Sequence, residues 1–413
     1  MLEVFLPRIK ELDGLRAIAI LGVFSCHFAR QYTHAFDFLR LGWAGVDLFF
    51  AISGFLITGI LIDLRVKEQP YRTFYWRRIL RIFPPYYLAL TLILLLAYLH
   101  GEHVSFRENI RYWLFASSAK LGLIKLAFER LFWPGRVYFP TQLSGSDDIP
   151  RFGNWLSIYW SLSIEEIFYL VWAPVILKGS RRTIVLFATI PLVMCPILRG
   201  LAHTPSFGEA YGFVFRFDAL TAGGVTALLF VAVKKGHLNA RPLSYALVGS
   251  VALSFCSLAL LLWYCGLFRI PDVRSTLVFS VFGYSLLSIS SASLVGVCVV
   301  WSGNLSLLFR ALRSKPSVYL GTLSYVMYLI HMPVYVSLQL AVLKYLGKSS
   351  AMVLDMNNGL LLLLAILTTV CTVALAGLSW KHFETPILRL KDRRFPALAQ
   401  QRPVRAEVEV VSP

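Results

Sequence analysis

Ten stretches of this chain stay mostly apolar over roughly the length of a membrane-crossing helix: 12–32, 43–62, 82–100, 156–177, 183–200, 212–233, 243–264, 276–302, 318–342 and 357–380. Crossing the hydrocarbon of a bilayer takes about 20 such residues. Backbone N–H and C=O groups there have no water to bond and must be satisfied internally, as they are in a helix. The sequence therefore predicts an all-α fold, a polytopic membrane bundle of about ten helices, with no internal repeat. Composition agrees. Hydrophobic residues make up 57% and charged residues 15%, against about 45–50% and about 25% in soluble domains. Mean hydropathy is +0.66.

The formal net charge of +18 comes from 40 Lys and Arg against 22 Asp and Glu. In a soluble protein this balance points to nucleic acid. Here the basic residues sit between apolar runs, so membrane topology accounts for them and no nucleic-acid partner is expected. With the N-terminus in the cytoplasm, the cytoplasmic segments hold 24 Lys or Arg and the four short outer loops, counted with Arg30 and Arg199 at their edges, hold 7. An N-in, C-in arrangement in the cell's inner (plasma) membrane is expected, because short cytoplasmic loops carry the basic excess. The charged "KELDGLR" leads straight into the first run without a small-x-small cleavage site, so the first helix is expected to be retained. Residues 1–390 form one transmembrane domain on this reading. The polar tail 391–413 is expected to be disordered and cytoplasmic. The cysteines (26, 195, 256, 265, 298 and 371) show no CxxC or Cys/His ligand spacing, so they are read as small core residues, with no disulfide or metal implied.

The long outer loop, about 101–155, contains "RYWLFASSAKLGLIKLAFERLFW". Lys120, Lys125 and Glu129 interrupt it, so it is read as an interfacial helix with belt aromatics rather than a span. Covering a site is the alternative. Trp113, Trp133 and Trp155 are candidates for stacking on sugar faces or for anchoring at the interface.

Ionisable residues inside apolar runs are the functional candidates, since each charge at mid-bilayer costs about 2.5–3.5 kcal/mol on insertion scales. The first run carries Arg16 and His27, eleven residues apart. At about 100° per residue they share a face, three turns and roughly 16 Å apart. The fourth run, "WSLSIEEIFYL", carries Glu165 and Glu166. Two carboxylates would cost about 5–7 kcal/mol in lipid, so their face should point into the bundle. The sixth opens "FRFDAL", with Arg216 and Asp218; the ninth, "SYVMYLIHMP", places Ser324, Tyr328 and His331 on one stripe. Two readings of such hydroxyls stand: a lining, or stitches between helices. Before the third run, "FYWRRILRIFPPYY" sets Arg77, Arg78 and Arg81 at the membrane surface, either as a bidentate phosphate clamp or as positive-inside anchors.

Taken together, these segments resemble the acyltransferase family 3 proteins, integral membrane enzymes that acylate exported or cell-surface glycans. The resemblance covers about 11–390. It rests on "LDGLRAIAILGVFSCHF", "GWAGVDLFFAISGFLITGIL", "RRILRIFPPYY", "WSLSIEEIFYL", "FRFDAL", "SYVMYLIHMP" and "FETP" in order. Ile167 departs from the pattern, standing where the family often has Gln after the paired glutamates. Many members also carry an SGNH-type hydrolase-like domain. About twenty residues follow the last matching block, so a stand-alone member is expected. The resemblance implies an acyl-CoA donor, usually acetyl-CoA, and a sugar hydroxyl on a glycan or lipid-linked saccharide as acceptor. It implies His27 as the catalytic histidine, Arg16 as its partner, and Arg78 and Arg81 as donor-binding residues.

An unperturbed imidazole titrates near about 6.5, so His27 is suited to act as a general base near neutrality. An acyl-histidine relay is the alternative route. Glu165 or Glu166 would orient a histidine or bond the acceptor, and His331 is a second acid/base candidate. The rival class is a secondary transporter with buried His, Glu and Arg. It would more often show internal repeats or Gly/Pro-broken helix pairs in matching positions, and this sequence shows neither.

Overall fold

The computed structural model describes residues 8–29, 34–99, 104, 106–115, 156–201, 214–264, 276–347 and 358–394. The described residues are helical, without strands. In chain order the helices are α1 (Lys10–Ala29), α2 (Gly45–Leu64), α3 (Pro70–Leu99), α4 (Phe106–Trp113), α5 (Trp160–Lys178), α6 (Arg181–Leu201), α7 (Phe217–Lys234) and α8 (Ala240–Tyr264). They continue with α9 (Tyr284–Val300), α10 (Leu307–Leu312), α11 (Lys315–Tyr345), α12 (Asn358–Ser379) and α13 (Thr385–Arg394). A 3₁₀ segment, His34–Ala44, leads into α2, and π-helical turns precede α9 (Phe279–Gly283) and α13 (Trp380–Glu384).

Among the described residues nine helices are long and apolar enough to span a bilayer, and the chain is an integral membrane protein. They correspond to nine of the ten expected runs. The remaining run, 12–32, is α1, whose first two turns carry Lys10, Glu11, Asp13 and Arg16. It is packed on α11 and α2. The outer helices α6 and α8 are mostly exposed and present Leu186, Ile190, Val193, Leu253, Leu260 and Trp263. With no water to avoid, such a surface is what lipid requires.

One boundary differs from expectation. The third helix begins at Pro70, not near 82, so Arg77, Arg78 and Arg81 lie on the helix itself rather than in a loop before it. Pro84 and Pro85 fall inside α3 instead of at its start. Proline removes one N–H and crowds the preceding turn, but neighbouring helices support such breaks within a membrane bundle. The stretch 116–155, with Trp133 and Trp155, and the tail from 395 lie outside the described residues.

Close helix approach depends on a few glycines. On α2, a Cβ at Gly54 would stand 1.8 Å from the Leu220 carbonyl oxygen; on α7, one at Gly223 would stand 2.0 Å from that of Ala51. The two helices are thus seated on each other reciprocally, the small-residue packing that membrane helices use in place of a hydrophobic drive. Gly321 does the same for α11 against α1, where a Cβ would meet the Asp13 carbonyl oxygen at 1.8 Å. Gly321→Val should therefore push α1 off α11. We expect a loss of at least about 1–3 kcal/mol, the usual cost of overpacking, read as a lowered unfolding temperature in detergent. An unchanged unfolding temperature would contradict this account of the α1–α11 contact.

Candidate functional site

Helix α1 brings Arg16 and His27 to the bundle interior at different depths, as their spacing implied. Because Gly321 lets α1 lie against α11, His27 meets His331, with Nδ1 of the former 3.0 Å from Nε2 of the latter. His331 is completely buried, whereas His27 is half-buried. The other nitrogen of His331, Nδ1, lies 2.8 Å from the Tyr328 backbone carbonyl oxygen. Phe24, one turn before His27, stacks on the His331 ring at 4.7 Å with 22° between planes. Phe28 packs on Tyr335 at 4.8 Å. Pro333 supplies no N–H to the Leu329 carbonyl, and the Tyr159 hydroxyl donates to it instead at 3.4 Å.

A cavity of about 100 Å³ lies between α1, α2, α3, α5 and α11. Arg16, Arg78, Arg81, Glu165, Glu166 and Tyr169 line it, with Ser53, Ser161, Ser324 and Tyr328. Three cations thus converge from two helices. Arg77 is not part of the lining, because each helical residue turns about 100° from the last. The two glutamates divide. Glu165 is held on both oxygens, by the Ser53 hydroxyl at 3.0 Å and the Tyr169 hydroxyl at 2.8 Å. The Arg78 guanidinium lies over the Tyr169 ring, 4.9 Å from its centroid. Among the described residues, none forms a hydrogen bond or ion pair with Arg78, Arg81 or Glu166.

The hydroxyl stripe of α11 both lines and stitches. The Tyr328 hydroxyl donates to the Ile158 carbonyl at 2.7 Å and lies 2.8 Å from the Ser161 hydroxyl on α5. It also borders the cavity, and its ring centroid is 5.8 Å from that of His331. The cavity therefore ends one side chain from the histidine pair.

Arg216 and Asp218 lie elsewhere. Arg216 pairs with Asp47 of α2, and Asp218 with Arg199 of α6 at 2.8 Å; all four side chains are at least nine-tenths buried. Both guanidinium groups face the Tyr284 ring, with centroid distances of 4.0 Å for Arg216 and 5.6 Å for Arg199. The partners Asp47 and Arg199 were missed in the sequence, although each is a charge inside an apolar run. Tyr169 was missed as well, although it stands four residues after Glu165, where helical neighbours meet. Ser53 carried no comparable signal. Among the described residues, no group of three or more His, Cys, Asp or Glu is placed to hold a metal ion.

A family model described as an acyltransferase domain matches residues 9–379. The putative peptidoglycan O-acetyltransferase YrhL of Bacillus subtilis is 28% identical over 400 residues, covering 92% of this chain and 55% of that protein. The peptidoglycan O-acetyltransferase OatA of Listeria monocytogenes is 25% identical over 392 residues, covering 92% and 56% respectively. The O-acetyltransferase OatA of Staphylococcus aureus is 24% identical over 424 residues, covering 97% and 60%. The chain thus spans between 55% and 60% of the length of these relatives. No solved structure matches it.

Proposed function

This chain belongs to acyltransferase family 3, and on that premise we propose that it moves an acetyl group from acetyl-CoA to a hydroxyl of a cell-envelope glycan. The observation that carries the reading is the convergence of Arg16, Arg78 and Arg81 on a cavity that ends one side chain from a histidine pair. Guanidinium groups match phosphate oxygens in shape and charge, and coenzyme A presents phosphates on a long arm. Arg78 and Arg81 form no close ion pair among the described residues, which leaves both guanidinium groups able to bond a phosphate. The names of the relatives favour an acetyl group and a peptidoglycan-type acceptor.

The arms of the site then divide the work. Arg78 and Arg81 bind donor phosphates with Arg16. His27 accepts the proton of the acceptor hydroxyl as its oxygen bonds to the thioester carbon. The C–S bond breaks, and the proton passes to the departing thiolate. Glu165, tied to Ser53 and Tyr169, holds the ring on which Arg78 rests. Glu166, without a described hydrogen bond, is the carboxylate available to a donor group of the substrate. With the N-terminus in the cytoplasm, as the loop charges favour, the arginines lie towards the donor's compartment and His27 towards the acceptor's.

The test is transfer of label from radiolabelled acetyl-CoA to peptidoglycan fragments or lipid-linked saccharide by the protein in lipid nanodiscs. Arg78→Ala and Arg81→Ala should each raise KM for acetyl-CoA by about tenfold or more, matching the ~1.5–3 kcal/mol of a charged hydrogen bond. KM for the acceptor should hold steady. Saccharide uptake into proteoliposomes without acyl-CoA would favour a transporter instead.

A further inference from the structure

Resting on the reading of His27 as the base, we infer that His331 is a positioning residue that sets the tautomer of His27. The Tyr328 carbonyl oxygen accepts hydrogen bonds only, so the His331 nitrogen facing it at 2.8 Å, Nδ1, carries the proton. In neutral imidazole the other nitrogen then holds the lone pair. That nitrogen, Nε2, faces His27 Nδ1 at 3.0 Å, so His27 must donate from Nδ1. His27 is left with its own lone pair on Nε2, the nitrogen that can take a proton.

The surroundings fix this order. His331 is fully buried, with Phe24 stacked on its face and Tyr328 tilted beside it. A ring so enclosed reaches substrate only through His27, which is half-buried. The arrangement corresponds to the orienting member of a catalytic triad, with an imidazole where a carboxylate usually stands. When the acceptor oxygen bonds to the acyl carbon, its proton goes to His27 Nε2. The imidazolium formed keeps its Nδ1–H on His331 until the departing thiolate takes the Nε2 proton, and no net charge remains on either ring.

The experiment compares His27→Ala, His331→Leu and His331→Gln in nanodiscs, with acetyl-CoA as donor. It also records ¹⁵N spectra of histidine-labelled wild type, with the His27 signals identified by their loss in His27→Ala. His331→Leu removes the acceptor of the His27 proton. It should lower kcat on the order of 10²–10⁴-fold, the scale of a wrong tautomer, while KM for acetyl-CoA stays within about twofold. His331→Gln offers an amide oxygen in place of Nε2 and should recover part of the loss, which a purely structural role would not predict. In wild type, His27 should carry its proton on Nδ1. A wild-type His27 protonated on Nε2 would overturn the inference without any variant having to fold. So would a His331→Leu protein as active as wild type while His27→Ala is inactive, an outcome that leaves the reading of His27 intact. Wild-type activity in His27→Ala would instead sink that reading itself.

Discussion

His27→Ala is expected to lower kcat for acyl transfer by about 10²–10⁴-fold, the usual worth of a positioned general base. The donor site should survive the change. His27 is absent from the lining of the arginine cavity, so KM for acetyl-CoA should stay within about twofold of wild type. The fold should survive as well. His27 is half-buried, and its ring contact with His331, at 5.0 Å between centroids, is one of several that join α1 to α11. Single-turnover transfer with labelled acetyl-CoA separates the chemical step from binding. A variant that binds donor normally and transfers it at the wild-type rate would remove His27 from the chemistry.

Arg216→Met should produce the largest loss of stability. Asp47 is fully buried in α2, and Arg216 neutralises it from the start of α7, across 169 positions of sequence. Breaking a buried pair by removing one member costs about 3–5 kcal/mol, because the other charge is left uncompensated. The same accounting makes a second variant informative. Replacing both residues, as Asp47→Leu with Arg216→Met, removes the stranded charge and should recover most of the loss. Donor binding should be unaffected in molecules that remain folded, since neither residue lines the arginine cavity. The measurement is thermal unfolding in detergent for both variants. If Arg216→Met unfolds at the wild-type temperature, the buried pairs do not hold the bundle together.

The division between what could be read and what could not follows the range of the forces involved. Nine of the ten runs appear as helices apolar enough to span, because length and hydropathy are local properties that the bilayer tests directly. The run 12–32 was legible in the same way and is α1, and its Arg16–His27 register followed from helical rise alone. The start of α3 was misplaced by about a dozen residues. The arginines and the proline pair resembled a boundary, and only packing from neighbours carries the helix through them.

By itself the sequence determined the all-helical membrane class and the face shared by Arg16 and His27. Each depends on periodicity within a single segment. Only the tertiary structure decided that His331 backs His27, that Arg16 joins Arg78 and Arg81 while Arg77 does not, and that Arg216 answers Asp47. Those pairings depend on how far each helix is rotated and how closely it is seated, which Gly54, Gly223 and Gly321 govern by letting backbones touch.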